Sequence, residues 1–131
     1  ASDVYKRQHY YRAKAYLDAG KTDGAMEDLK VLAKDTRNVY GAEAKYKVAQ
    51  IYFDGGQTDK AEQEVLNYIE VSTPHTYWLA RSFVLLADVY MKLGRNLDAK
   101  QYLLSLKQNY QADDDIAGMI ESRLEKLKTE N

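Results

Sequence analysis

The densest set of metal-seeking oxygens in this 131-residue chain is Asp113, Asp114 and Asp115, three carboxylates in a row. Such a run invites comparison with a calcium loop. The turn glycine and the terminal glutamate of a calcium hand do not fall together in register here. The aspartates therefore read as capping and dipole-stabilising groups at the start of a helix. The two histidines, His9 and His75, stand far apart and outside any metal-ligand spacing. There is no cysteine, hence no disulfide and no thiolate site. No glycine-rich phosphate loop follows a strand, and no nucleophile is framed by a histidine and an acid. These residues point away from an enzyme and imply no cofactor and no metal. A helical domain acting on a glycan or peptide through an unmarked site is the weaker alternative.

The elements that carry these side chains follow from composition. Nineteen basic and 20 acidic residues give a formal charge of −1, with the signs interspersed. No block of Lys and Arg offers a phosphate-tracking surface, which argues against a nucleic-acid partner. No run of about 18 apolar residues could cross a membrane. The start, ASDVYKRQ, lacks an apolar signal-peptide core and reads as a junction scar as readily as native sequence. Absence of cysteine fits a reducing cytosol and a periplasm alike, so the compartment stays open. One proline and seven glycines favour long helices, and twelve tyrosines against two phenylalanines favour surfaces apolar at one end and wet at the other.

A spacing repeats three times. AKAYLDAGKTDGA, AQIYFDGGQTDKA and ADVYMKLGRNLDA place Ala, Tyr, Gly and Ala at matching positions. These are Ala13, Tyr16, Gly20 and Ala25; Ala49, Tyr52, Gly56 and Ala61; and Ala87, Tyr90, Gly94 and Ala99, at offsets of 36 and 38. Leu29, Val65 and Leu103 follow in register. Ala and Tyr three apart share a helical face. The glycine suits a left-handed residue just past a helix end. Thr22, Thr58 and Asn96 are expected to cap the next helix, with Asp23, Asp59 and Asp98 in its first turn. Two small residues let antiparallel helices approach closely. Each copy is thus a helical hairpin, and helices are expected at about 4–19, 22–35, 40–54, 58–71, 74–93, 97–109 and 114–129. Thr73 and Pro74 are expected to cap and open the fifth helix and to lengthen it by about a turn, with Trp78 on that turn.

This pattern resembles the tetratricopeptide repeat over about residues 6–112. The copies exceed the family's repeat length of about 34 residues. His9 and Lys45 stand where the family has an aromatic or leucine (Phe83 fits), and Arg12 replaces an aliphatic. The resemblance implies an all-α right-handed superhelix in one domain, with repeats at about 6–39, 40–73 and 74–112 and a capping helix at 114–129. Ile116, Ile120, Leu124 and Leu127 form that helix's apolar stripe. The first helix, rich in Tyr5, Tyr10, Tyr11 and Tyr16, has no polar outer cap. Further repeats are expected upstream, as in a C-terminal part of a longer bacterial repeat protein of the cell envelope, and the exposed first hairpin is expected to self-associate.

The resemblance also implies where function sits. The first helix of each hairpin would line a concave groove through Arg7, Tyr10, Lys14 and Leu17; Glu43, Tyr46, Gln50 and Phe53; and Tyr77, Arg81, Val84, Asp88 and Met91. Phe53 and Val84 could equally be core, and Trp78 is expected to pack over the preceding hairpin. The implied function is a non-catalytic scaffold binding a protein or peptide segment. The alternative is a purely structural end of a longer solenoid.

Overall fold

The computed structural model describes residues 2–129. Within them the chain forms seven α-helices and no strand: α1 (Ser2–Asp18), α2 (Thr22–Leu32), α3 (Val39–Asp54), α4 (Thr58–Glu70), α5 (Thr76–Lys92), α6 (Asn96–Asn109) and α7 (Ile116–Thr129). The protein is an all-α helical repeat, and each helix end lies within about three residues of its expected position. The chain divides into two compact units, residues 1–79 and 80–131, with the boundary inside α5.

The three elbows share one construction. Gly20, Gly56 and Gly94 have φ of 74°, 80° and 76°, the left-handed region that penalises a Cβ. Each glycine N–H donates to the carbonyl three residues back, on Leu17, Phe53 and Met91, at 3.1 Å. The next N–H, on Lys21, Gln57 and Arg95, reaches back to Tyr16, Tyr52 and Tyr90 at 2.8, 2.8 and 2.7 Å. This pair of bonds is the Schellman motif, which satisfies the orphan carbonyls of a helix end. The tyrosine of the repeat therefore supplies the acceptor carbonyl of its own elbow, and its spacing to the glycine is fixed by the motif.

The expected caps are not where sequence put them. The cap positions of α2, α4 and α6 belong to Lys21, Gln57 and Arg95, and none uses a side chain. Their carbonyls accept the first helical bonds, from Ala25, Ala61 and Ala99. The Schellman turn delivers the chain directly into the next helix, so Thr22, Thr58 and Asn96 are already inside it. Pro74 likewise precedes α5 instead of opening it, because Thr73 Oγ1 accepts the His75 N–H at 3.1 Å in a local turn. The longer second offset comes from α4, two residues longer than α2, and α5, one longer than α3, less one residue in the link.

In the first unit, α1 packs on α2, α2 on α3 and α3 on α4. Ala13, Ala25, Leu29, Leu32, Ala44 and Val48 form a continuous core between the hairpins. Tyr68 is fully buried, with its hydroxyl donating to the Ala42 carbonyl at 3.1 Å, and burial pushes its pKa up to about 12. Asn38 caps α3, accepting from Tyr40 and Gly41. Gly41 enters that helix so close to the end of α2 that an added Cβ would overlap the Asp35 carbonyl oxygen and lie 2.6 Å from that of Leu32. In the second unit, α6 packs on α7. Leu103, Ile116, Ile120 and Leu127 are buried there, and Asp114 Oδ1 accepts the Ile116 N–H at the start of α7 at 2.9 Å.

Candidate functional site

The first-helix stripes of α1 and α3 meet in the first unit. The Tyr10 hydroxyl donates to Glu43 Oε1 at 3.1 Å, and its ring lies 4.4 Å from that of Tyr40. Lys14 Nζ stands over the Tyr10 ring at 5.3 Å, and Lys47 pairs with Glu43 at 2.5 Å. Burial, then the Glu43 charge, pushes the Tyr10 phenol up to about 12, so it stays a donor at neutral pH. Along α3, the Tyr46 hydroxyl donates to Gln50 Oε1, and Gln50 Nε2 donates to Asp54 Oδ1, both at 2.8 Å. Phe53 and Leu17 are half-buried. Trp78 packs 5.7 Å from Tyr46 of the preceding hairpin, as expected, and 5.0 Å from Tyr77 in an edge-to-face contact.

Other expected groove residues lie elsewhere. Arg7 lines a separate shallow hollow of about 420 Å³ with Val4, Gln8 and Tyr11. Tyr46 is 6% exposed and Val84 3%, so Val84 is core and Tyr46 shows only an edge. In the second unit, Arg81 and Met91 are half-buried. Asp88 is held by Arg123 of α7 through two parallel bonds, Nε to Oδ1 at 2.8 Å and Nη2 to Oδ2 at 3.0 Å. This fork-to-carboxylate geometry occupies both Asp88 oxygens, and spacing along α5 gave no sign of it.

Family comparisons agree with this architecture. Two tetratricopeptide-repeat models match, one at residues 9–35 and one at 80–110. The chain carries tetratricopeptide repeats. No curated protein and no solved structure matched the chain.

Within each hairpin one interhelical position is filled differently. In the first, His9 Nδ1 lies 2.7 Å from Asp28 Oδ1, and Arg12 donates to the same carboxylate at 2.5 and 2.9 Å. Hydrogen bonding from Arg12 holds the Asp28 carboxyl below its usual range; burial opposes this and His9 assists. In the second, Lys45 Nζ donates to Asn67 Oδ1 at 2.7 Å and pairs with Glu64 at 3.2 Å. In the third, Phe83 and Tyr102 place their rings 6.2 Å apart. His9 with Asp28, Lys45 with Glu64 and Phe83 with Tyr102 are all 19 residues apart. That common interval was available in the sequence as a signal for these pairs. Among the described residues no group of three or more His, Asp or Glu could hold a metal ion.

Proposed function

We propose that these repeats act as a non-catalytic scaffold, holding a protein or peptide segment against the first helices of the hairpins. Tetratricopeptide repeats in general mediate protein–protein interactions. The observation that carries the reading is the Tyr10, Tyr40, Lys14 and Glu43 group. It joins two first helices through an oriented phenol, partly accessible rings and charges of both signs. Gln50, Phe53 and Tyr77 extend that mixture with partly exposed surface. A few aromatic anchors with oriented polar groups is the usual make-up of a peptide-binding surface.

Tyr46 is a poor probe of this surface, because truncating a nearly buried ring tests stability first. Lys14→Glu combined with Phe53→Ser is better placed. Peptides selected from a random display library should bind the wild type and lose most of their affinity for this variant, with melting little changed. A library that yields no binder, or binders indifferent to both substitutions, would sink the proposal. Asp88 supports a second reading for the third repeat alone: its oxygens serve Arg123, so that stretch completes the fold. Arg123→Ala should then lower the melting temperature and leave peptide affinity unaltered.

Self-association through α1 belongs to the same proposal, since Val4, Tyr5 and Tyr11 are 55, 63 and 59% exposed. Light scattering that reports a monomer at high concentration would count against it.

A further inference from the structure

We infer a second binding surface, a basic seam between α2 and α4 that takes an acidic peptide segment. A cavity of about 250 Å³ lies there, lined by Lys30, Lys34, Thr36, Lys45, Glu64 and Asn67. Three ammonium groups face it against one carboxylate, and that carboxylate is already paired with Lys45. Lys60 and Lys30 each lie 5.7 Å from the Tyr52 ring, whose negative face holds two like charges in one place. Lys30, Lys34 and Lys60 are exposed, and none of them pairs with a carboxylate among the described residues. Asn67 spends its carbonyl on Lys45, which leaves its N–H groups as neutral donors toward the cavity.

Charge complementarity defines the occupant. Cations gathered without counter-charge repel one another, and an anion inserted among them turns that repulsion into attraction. The lining residues offer point-charge ammoniums and no arginine fork, the device that favours bidentate phosphate binding. Carboxylates on a partner chain therefore fit better than phosphate groups. Lys30 lies in the last turn of α2 and Lys34 in the turn just beyond its end, near enough in sequence for neighbouring acidic side chains of one segment to reach both. The surface is built from α2, the link after it and α4, with Lys45 alone from α3, and it uses none of the residues of the scaffold reading above, so it stands or falls independently of that reading.

The test is fluorescence anisotropy with a short fluorescein-labelled oligoglutamate peptide, using oligoglutamine and a homopolymeric single-stranded RNA for comparison. Wild-type protein should bind oligoglutamate, more weakly as salt rises, and should not bind oligoglutamine. Lys30→Glu with Lys34→Glu should weaken binding by at least about tenfold. Lys34→Gln alone, a milder change at an exposed residue, should weaken it by less. Lys100→Glu with Lys126→Glu, the same charge change in the other unit, should leave it intact, as should Lys14→Glu on the first-helix face. Equal loss in the Lys100 and Lys126 variant reduces the effect to net charge and overturns the site. So does binding of oligoglutamine, or no binding at all. Tighter binding of the RNA than of oligoglutamate, lost in the Lys30 and Lys34 variant, overturns the choice of an acidic peptide.

Discussion

In hairpin α1–α2 the space between the helices is held by His9, Arg12 and Asp28, whereas the matching positions of hairpin α5–α6 carry Phe83, Leu86 and Tyr102. One set is ionic and hydrogen-bonded, the other aliphatic and aromatic. The elbows are nevertheless alike, with the same two backbone bonds and the same left-handed glycine. Tyr102 touches both Phe83 and Tyr90, so the third hairpin links its filling to its elbow through rings. The first hairpin instead stacks His9 flat on Tyr5 at 5.1 Å, toward the exposed side of α1. Backbone geometry at the turn sets the hairpin, and the interior tolerates either chemistry provided every buried polar atom is paired. Among the described residues no buried side-chain N or O lacks a partner.

Substitutions can break this comparison in order of expected effect. Gly41→Ala is the most severe. Its Cβ would meet the backbone carbonyl of Asp35, which cannot rotate away, so thermal or denaturant unfolding should show a loss of about 3 kcal/mol. Leu79 stands at the matching position of the third copy, and near-wild-type melting of this variant would show that the joint between the first two hairpins is less strict than this close approach requires. Asp28→Ala comes next. It strands His9, nearly buried, beside an Arg12 that is 59% exposed and can rehydrate. The expected loss is about 2 kcal/mol, below that of a wholly buried pair.

Gly56→Ala tests the shared elbow. Nothing lies within 4 Å of the added Cβ, so only the cost of φ at 80° remains, about 1 kcal/mol. The same change at Gly20 or Gly94 should cost about as much; unequal losses would show that the elbows are not equivalent.

Transplantation sharpens the comparison most directly. His9→Phe, Arg12→Leu and Asp28→Tyr together install the third hairpin's filling in the first. Replacing a buried ionic group by well-packed apolar side chains is often neutral or stabilising. Melting should therefore stay at or rise above wild type by up to about 1 kcal/mol. Acid should separate the two proteins further. Asp28 titrates below its unfolded value, so its contribution is full above about pH 4 and is lost as pH falls through the folded value. Wild type should therefore lose more stability than the triple variant between neutral pH and pH about 3; parallel pH profiles would remove Asp28 from the account.

The elbows were legible in the sequence because each residue answers a local demand. Glycine meets the positive φ, tyrosine's position follows from the six-residue turn, and alanine permits helix contact. The missed caps were local too, but the Schellman turn made a side-chain cap unnecessary, and preference for threonine and asparagine at helix starts misled by one residue. Pro74 was misplaced for a similar reason: the Thr73 turn consumes the segment before α5 begins. The pairs that span two helices were hidden. Arg123 and Asp88 lie 35 residues apart, and nothing along α5 alone distinguishes a carboxylate facing solvent from one facing α7. Of the candidate site, the grouping of Tyr10 with Glu43 and of Tyr46 with Gln50 follows the expected helix faces. The burial of Val84 and the separate position of Arg7 depend on how neighbouring helices pack.

Gly41 decides how closely two successive repeats nest. Where backbone meets backbone, any side chain works as a shim, and a single methyl group is the smallest shim available. The pitch between the first two repeats is thus tied to one codon, and any change of it there is made against the backbone of Asp35 and Leu32.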